Sequence, residues 1–137
     1  MIAYLFILII IFCISMSLRT LFLPNALQDK FLSWESFAYL FFIYSTILLG
    51  FGLLYFICME NGIAVIQENE ELLSGSTLHT LQTCIYFSGS TLFSVGYGDV
   101  TPIGIGRVIS ILEGMIGYTI PASFVVRTVV DIQQERG

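Results

Sequence analysis

Charged side chains are scarce in this chain of 137 residues: Asp, Glu, Lys and Arg make up 11%, against about 25% in soluble globular proteins. That shortage excludes a solvated globular domain. Lys and Arg number five, too few and too scattered for a nucleic-acid face. Histidine occurs once, at His79, and tryptophan once, at Trp34. The three cysteines, Cys13, Cys58 and Cys84, are odd in number, lie in or beside apolar runs and show no Cys-x-x-Cys spacing. They read as small hydrophobic residues, not as metal ligands or a disulfide framework. There is no nucleophile–base pair, phosphate-binding loop or metal cluster, so an enzyme reading has no support. The net charge of −5 reflects acids gathered in one segment, not a general property of the surface.

Apolar residues are what remains, at 56% of the chain and a mean hydropathy of +0.89. Residues 1–18 carry no charge and are just long enough to cross a hydrocarbon core at 1.5 Å per residue. A cleavable signal peptide competes, but no basic stretch precedes the run and no small-x-small site follows it. We take 1–22 as a retained N-terminal transmembrane helix. Pro24 and Asn25 then break the run. Residues 23–35 read either as a loop or as a short interfacial helix with Trp34 at headgroup level. Residues 36–58 are a nearly unbroken apolar span in which Gly50 and Gly52 permit close helix contact. Residues 59–77 hold Glu60, Glu68, Glu70 and Glu71 without a basic residue. They form a solvated loop, and equally an acidic rim that concentrates cations.

Residues 78–92 have helix character but are too short to cross a bilayer, so a helix there must be re-entrant and buried by protein. His79 reads as an interfacial residue of this helix. Residues 105–130 form a further apolar span, and 131–137 a polar tail. Within that span Pro121 lacks the N–H that would bond the carbonyl of Gly117, which makes a bend there natural. A static kink and a hinge are both open readings. Glu113, a carboxylate inside a spanning helix, is a functional candidate by default. It would either hydrogen-bond hydroxyls behind residues 94–99, protonated part of the time, or reach interfacial water.

Between the short helix and the last span lies Ser94-Val95-Gly96-Tyr97-Gly98-Asp99. Gly-Tyr-Gly-Asp is a natural turn sequence, yet by average residue usage it arises about once per hundred thousand positions, so chance is set aside. Gly96 and Gly98 reach positive φ without steric cost. Alternating them with Val95 and Tyr97 lets successive carbonyls face one side, which suits several copies of the strand to replacing the water shell of a cation.

This stretch resembles the selectivity filter of potassium channels, and residues 36–130 resemble the pore module of bacterial two-helix potassium channels. The resemblance implies an all-α membrane protein with an outer helix (36–58), an extracellular turret (59–77), a pore helix (78–92), a filter (94–99) and an inner helix (105–130). It implies a homotetramer in which the backbone of Ser94, Val95, Gly96 and Tyr97, with the Ser94 hydroxyl, binds dehydrated K⁺. Gly98, Asp99, Tyr86, Phe87, Ser90 and Thr91 would support the filter, with the Tyr86 hydroxyl donating to Asp99. Gly117, with Pro121, would be a gating hinge, and Glu113 a modulatory residue.

Two positions depart from the family pattern. Ser94 replaces the usual Thr, leaving selectivity against Na⁺ open, and Ser90 replaces a Glu found in several relatives. No span carries a regularly repeated Arg or Lys, so no voltage sensor is expected. The permeant K⁺ is the only ion implied, with no cofactor, and the partners are three identical subunits, membrane lipid and an unidentified cytoplasmic regulator.

Opening the filter to the outside places Arg19, Lys30, Arg127 and Arg136 on the cytoplasmic side and only Arg107 outside, in keeping with the positive-inside rule. The expected location is the cell membrane, with several spans and a cytoplasmic C-terminus. Competing functions are a subunit of a K⁺ uptake transporter, a weakly selective cation channel and a non-conducting membrane adaptor. The single intact filter motif weighs against the first and last of these.

Overall fold

A computed structural model describes residues 2–22, 34–73 and 75–135. Its elements, in order, are α1 (Ile2–Phe22), α2 (Trp34–Glu60), β1 (Ile66–Glu68), β2 (Glu71–Leu72), α3 (Thr77–Leu92), β3 (Val100–Pro102) and α4 (Gly106–Glu135). Of residues 23–35, read as a loop or a short interfacial helix, 23–33 lie outside the described residues and Trp34 and Glu35 begin α2. Phe37–Glu60 and Gly106–Val126 are long and apolar enough to cross a membrane, whereas the apolar stretch of α1 covers Tyr4–Met16. Helix α4 runs on through the polar stretch expected as a tail, to Glu135.

Helix α2 is the centre of the packing. Its buried residues Ile43, Ile47, Phe51 and Tyr55 recur every fourth position and form one stripe. Its two glycines serve two neighbours. A Cβ on Gly50 would sit 2.9 Å from Ile14 of α1, and one on Gly52 would sit 3.1 Å from the Ile85 backbone of α3. Two residues apart on a helix is about 200° of rotation, so α1 and α3 lie against opposite sides of α2.

Helix α3 has 16 residues, about 24 Å at the α-helical rise and short of a bilayer core of about 30 Å. Ser76 caps it, its hydroxyl accepting from the His79 N–H at 3.3 Å. Buried Cys84, Phe87, Ser88 and Leu92 face its neighbours.

The structure is mostly helical, as expected, and one local reading needs correction. The segment read as a solvated acidic loop contributes two strands to a three-stranded antiparallel sheet of order β2-β1-β3. Gln67 pairs with Leu72 on one side and with Thr101 on the other. The β1–β2 connection is two residues, Asn69 and Glu70, at φ 49° and 68°, as a type I′ hairpin turn requires. Val65, just before β1, and Ile66, its first residue, are fully buried. Their backbone also limits α4, because a Cβ on Gly106 would overlap the Val65 carbonyl.

Candidate functional site

The Ser94–Asp99 segment is suspended between α3 and β3. The carbonyl of Ser90 accepts from the Val95 N–H at 2.9 Å and that of Thr91 from the Ser94 N–H at 3.0 Å. Thus Ser90 and Thr91 act on the segment through their backbone. At the far end the Asp99 carbonyl accepts from the Asn69 N–H at 2.8 Å, so the β1–β2 turn holds the exit of the segment. Gly96 and Gly98 have φ of 60° and 85°. Ser94, at φ 55°, shares the left-handed region, which composition alone did not signal. Every second residue from 94 to 98 is therefore left-handed.

Tyr86 and Phe87, both expected to support the filter, point to different neighbours. The Tyr86 hydroxyl donates to the Asp99 carboxylate, 2.9 Å from Oδ2 and 3.1 Å from Oδ1. Its ring stacks on Tyr97 with centroids 6.1 Å apart. Desolvation, then the hydrogen bond to Asp99 and its charge, hold the Tyr86 hydroxyl above the ordinary tyrosine value. Phe87 instead is buried against Tyr55 of α2, edge to face at 5.1 Å. Adjacent helical residues diverge by about 100°, so within this chain Tyr86 meets the segment and Phe87 meets α2.

Glu113 of α4 is fully buried. It accepts from the Tyr55 hydroxyl at 2.8 Å and from the Ser88 hydroxyl, joining α4 to α2 and α3. One helical turn further, Gly117 makes a second junction. A Cβ there would overlap the carbonyl of Leu92, the last residue of α3. The Gly117 carbonyl accepts from the Tyr44 hydroxyl of α2 at 2.8 Å, and Tyr44 stacks on Phe93 at 5.4 Å. Helix α4 stays helical through Pro121. Tyr44, Tyr55 and Ser88 did not stand out in the sequence. The available signal was tyrosine hydroxyls inside an apolar span, which need partners when buried. On the acidic side, Glu68 lies 3.8 Å from the exposed His79, and among the described residues no cluster suits a resident metal ion.

A short helix that stops before a left-handed-alternating strand, flanked by two apolar helices of spanning length, is the frame of a pore loop. The sequence pattern of the ion channel family matches residues 1–134. The chain belongs to the ion channel family. Within it, Protein LctB of Geobacillus stearothermophilus is 44% identical over 115 residues, covering 84% of this chain and 86% of the relative. Protein LctB of Bacillus caldotenax is 51% identical over 88 residues, 64% of this chain and 66% of the relative. Membership of the ion channel family, together with helices α2 and α4, makes this a membrane protein.

Proposed function

We propose that the chain is a subunit of a potassium-selective channel that conducts passively through four copies of Ser94–Asp99 around one axis. The observation that carries this reading is the left-handed backbone at Ser94, Gly96 and Gly98, in a segment tied at both ends. With Val95 and Tyr97 between them, this alternation suits a strand whose carbonyls replace water around a dehydrated ion. One strand cannot encircle an ion, so cyclic assembly follows, and its fourfold order comes from the resemblance to potassium channels.

In the mechanism, K⁺ sheds water onto the backbone of Ser94, Val95, Gly96 and Tyr97, and successive ions displace one another. The C-terminal end of α3 lies beside the inner end of the segment, where its dipole favours a cation. Glu68, Glu70, Glu71 and Asp99 raise the cation concentration at the outer mouth, an effect that physiological salt limits. Tyr86 steadies Asp99, and the bend at Gly117 and Pro121 shapes the inner vestibule. The filter mouth faces outward across the cell membrane, α1 crosses as a further helix, and the C-terminus is cytoplasmic. No described span carries regularly repeated Arg or Lys, so we read opening as a response to lipid, pH or a cytoplasmic partner and not intrinsically to voltage.

The test is the reversal potential of the purified full chain in planar bilayers, with K⁺ on one side and Na⁺ on the other. A strongly K⁺-favouring value supports the reading. A value near zero points to a weakly selective cation channel, the alternative that Ser94 raises. Absence of current at neutral and acidic pH, with and without anionic lipid, would overturn channel function.

A further inference from the structure

Behind the Ser94–Asp99 segment sits a polar cluster that ion conduction as described does not use. Glu113 has no solvent exposure, and neither do Tyr55 and Ser88, whose hydroxyls reach its two oxygens. Ser88 has a second acceptor, the Leu48 carbonyl of α2, at 2.9 Å. A buried carboxyl inside a spanning helix is expensive, and a leucine would fill the same space at lower cost. The three groups come from α4, α2 and α3, so the cluster bonds all three helices through side chains.

We propose that Glu113, with Tyr55 and Ser88, is a positioning site that sets the rotation of α3 and thereby the geometry of the conducting segment, an inference that rests on the channel reading above. Ser88 and Ser90 lie on nearly opposite sides of α3, about 200° apart. Ser88 anchors the helix from behind, and the Ser90 carbonyl holds Val95 in front at 2.9 Å. A rotation of α3 that parts Ser88 from Glu113 therefore swings the carbonyl that fixes the start of the segment.

The requirement is for hydrogen bonding at the length of a glutamate, not for charge. With a carboxylate at 113, both hydroxyls donate to it. With the carboxamide of a glutamine, Tyr55 still donates to the oxygen and the amide N–H donates to Ser88. The Ser88 proton then turns to the Leu48 carbonyl. Every polar heavy atom has a partner in both arrangements, with one N–H of the glutamine amide to spare. A leucine leaves the Tyr55 hydroxyl unpaired in a packed site and releases Ser88 from α4.

The experiment compares the full chain, reconstituted in lipid nanodiscs, with Glu113→Gln, Glu113→Leu and the double variant Tyr55→Phe/Ser88→Ala. Amide hydrogen exchange over residues 85–97 is read in each, and single-channel open time in planar bilayers. Glu113→Gln is expected to match wild type in both. Glu113→Leu and the double variant are expected to exchange about tenfold faster over 85–97, the equivalent of one buried polar group left without its hydrogen bond. Their open times change by a similar factor at unaltered unit current. The double variant carries the test where the leucine chain does not fold. Wild-type protection in Glu113→Leu or in the double variant overturns the proposal, and so does a Glu113→Gln chain as impaired as the leucine one. Exchange is read whether or not the protein conducts. An unselective or silent wild type therefore counts against the channel reading, while the exchange pattern decides the positioning site.

Discussion

The hydroxyl of Tyr44 donates to the carbonyl of Gly117 at 2.8 Å, and that carbonyl is the one Pro121 leaves without its i+4 donor. A missing bond inside α4 is thus replaced by a bond from α2. The backbone that proline leaves unbonded is tied to a neighbouring helix at a defined point, beside Leu92 at the end of α3.

Tyr44→Phe removes the replacement donor and leaves the Gly117 carbonyl unpaired. The expected loss is about 1–3 kcal/mol, read as a lower thermal midpoint of the purified chain. Pro121→Ala restores the helical N–H and should rescue Tyr44→Phe. Additive loss in the double variant would show that the Tyr44 bond does not substitute for the helical one.

Gly117→Ala and Gly106→Ala each push a methyl into a backbone carbonyl, of Leu92 and of Val65. Backbone yields less readily than a side-chain tip, so each should cost about 1–3 kcal/mol or more. Gly114→Ala, whose Cβ would stand 4.0 Å from the Thr91 carbonyl, is the control and should be tolerated. Thermal unfolding of the three variants side by side checks the order.

Gly96→Ala and Gly98→Ala meet no steric obstacle within the chain, since nothing lies within 4 Å of an added Cβ at either position. Their cost is in the backbone, about 1–2 kcal/mol each for a left-handed non-glycine residue. Folding should survive while K⁺ current is lost in planar bilayers. Wild-type current in both variants would remove this segment from the ion path.

Ser94 occupies φ 55°, where a β-branched side chain is disfavoured. Ser94→Thr is therefore expected to lower the thermal midpoint, even though threonine is the usual residue in potassium channels. An unchanged or raised midpoint would mean that the segment adopts a different backbone at this position in the assembled protein.

Tyr86→Phe removes the bond to Asp99 and should shorten channel open time without altering the reversal potential. The wild-type bond also has a pH sign. Because the Tyr86 hydroxyl is held above the ordinary tyrosine value, its stabilisation is complete below that value. It is lost as pH rises through the raised one. Open time in wild type should therefore fall at strongly alkaline pH and approach that of Tyr86→Phe.

Much of the frame was legible in local pattern. Apolar runs of spanning length, a helix too short to cross, Gly96 and Gly98 at alternate positions and the Gly117–Pro121 pair are all written in neighbouring residues, because hydropathy, helix length and φ are local properties. The sheet was not legible, since strands of two or three residues such as Glu71–Leu72 are too short to show a period. They exist because Val100–Pro102 arrives beside Ile66–Glu68. Nor could the sequence assign partners to Glu113. It marked the carboxylate as out of place, but Tyr55 and Ser88 lie 58 and 25 residues away along the chain. The divergence of Tyr86 and Phe87, and the use of Gly106 and Gly117 as contact points for carbonyls, were likewise decided only by how the helices pack. Local chemistry determined which elements form, and long-range contact decided which of their polar groups meet.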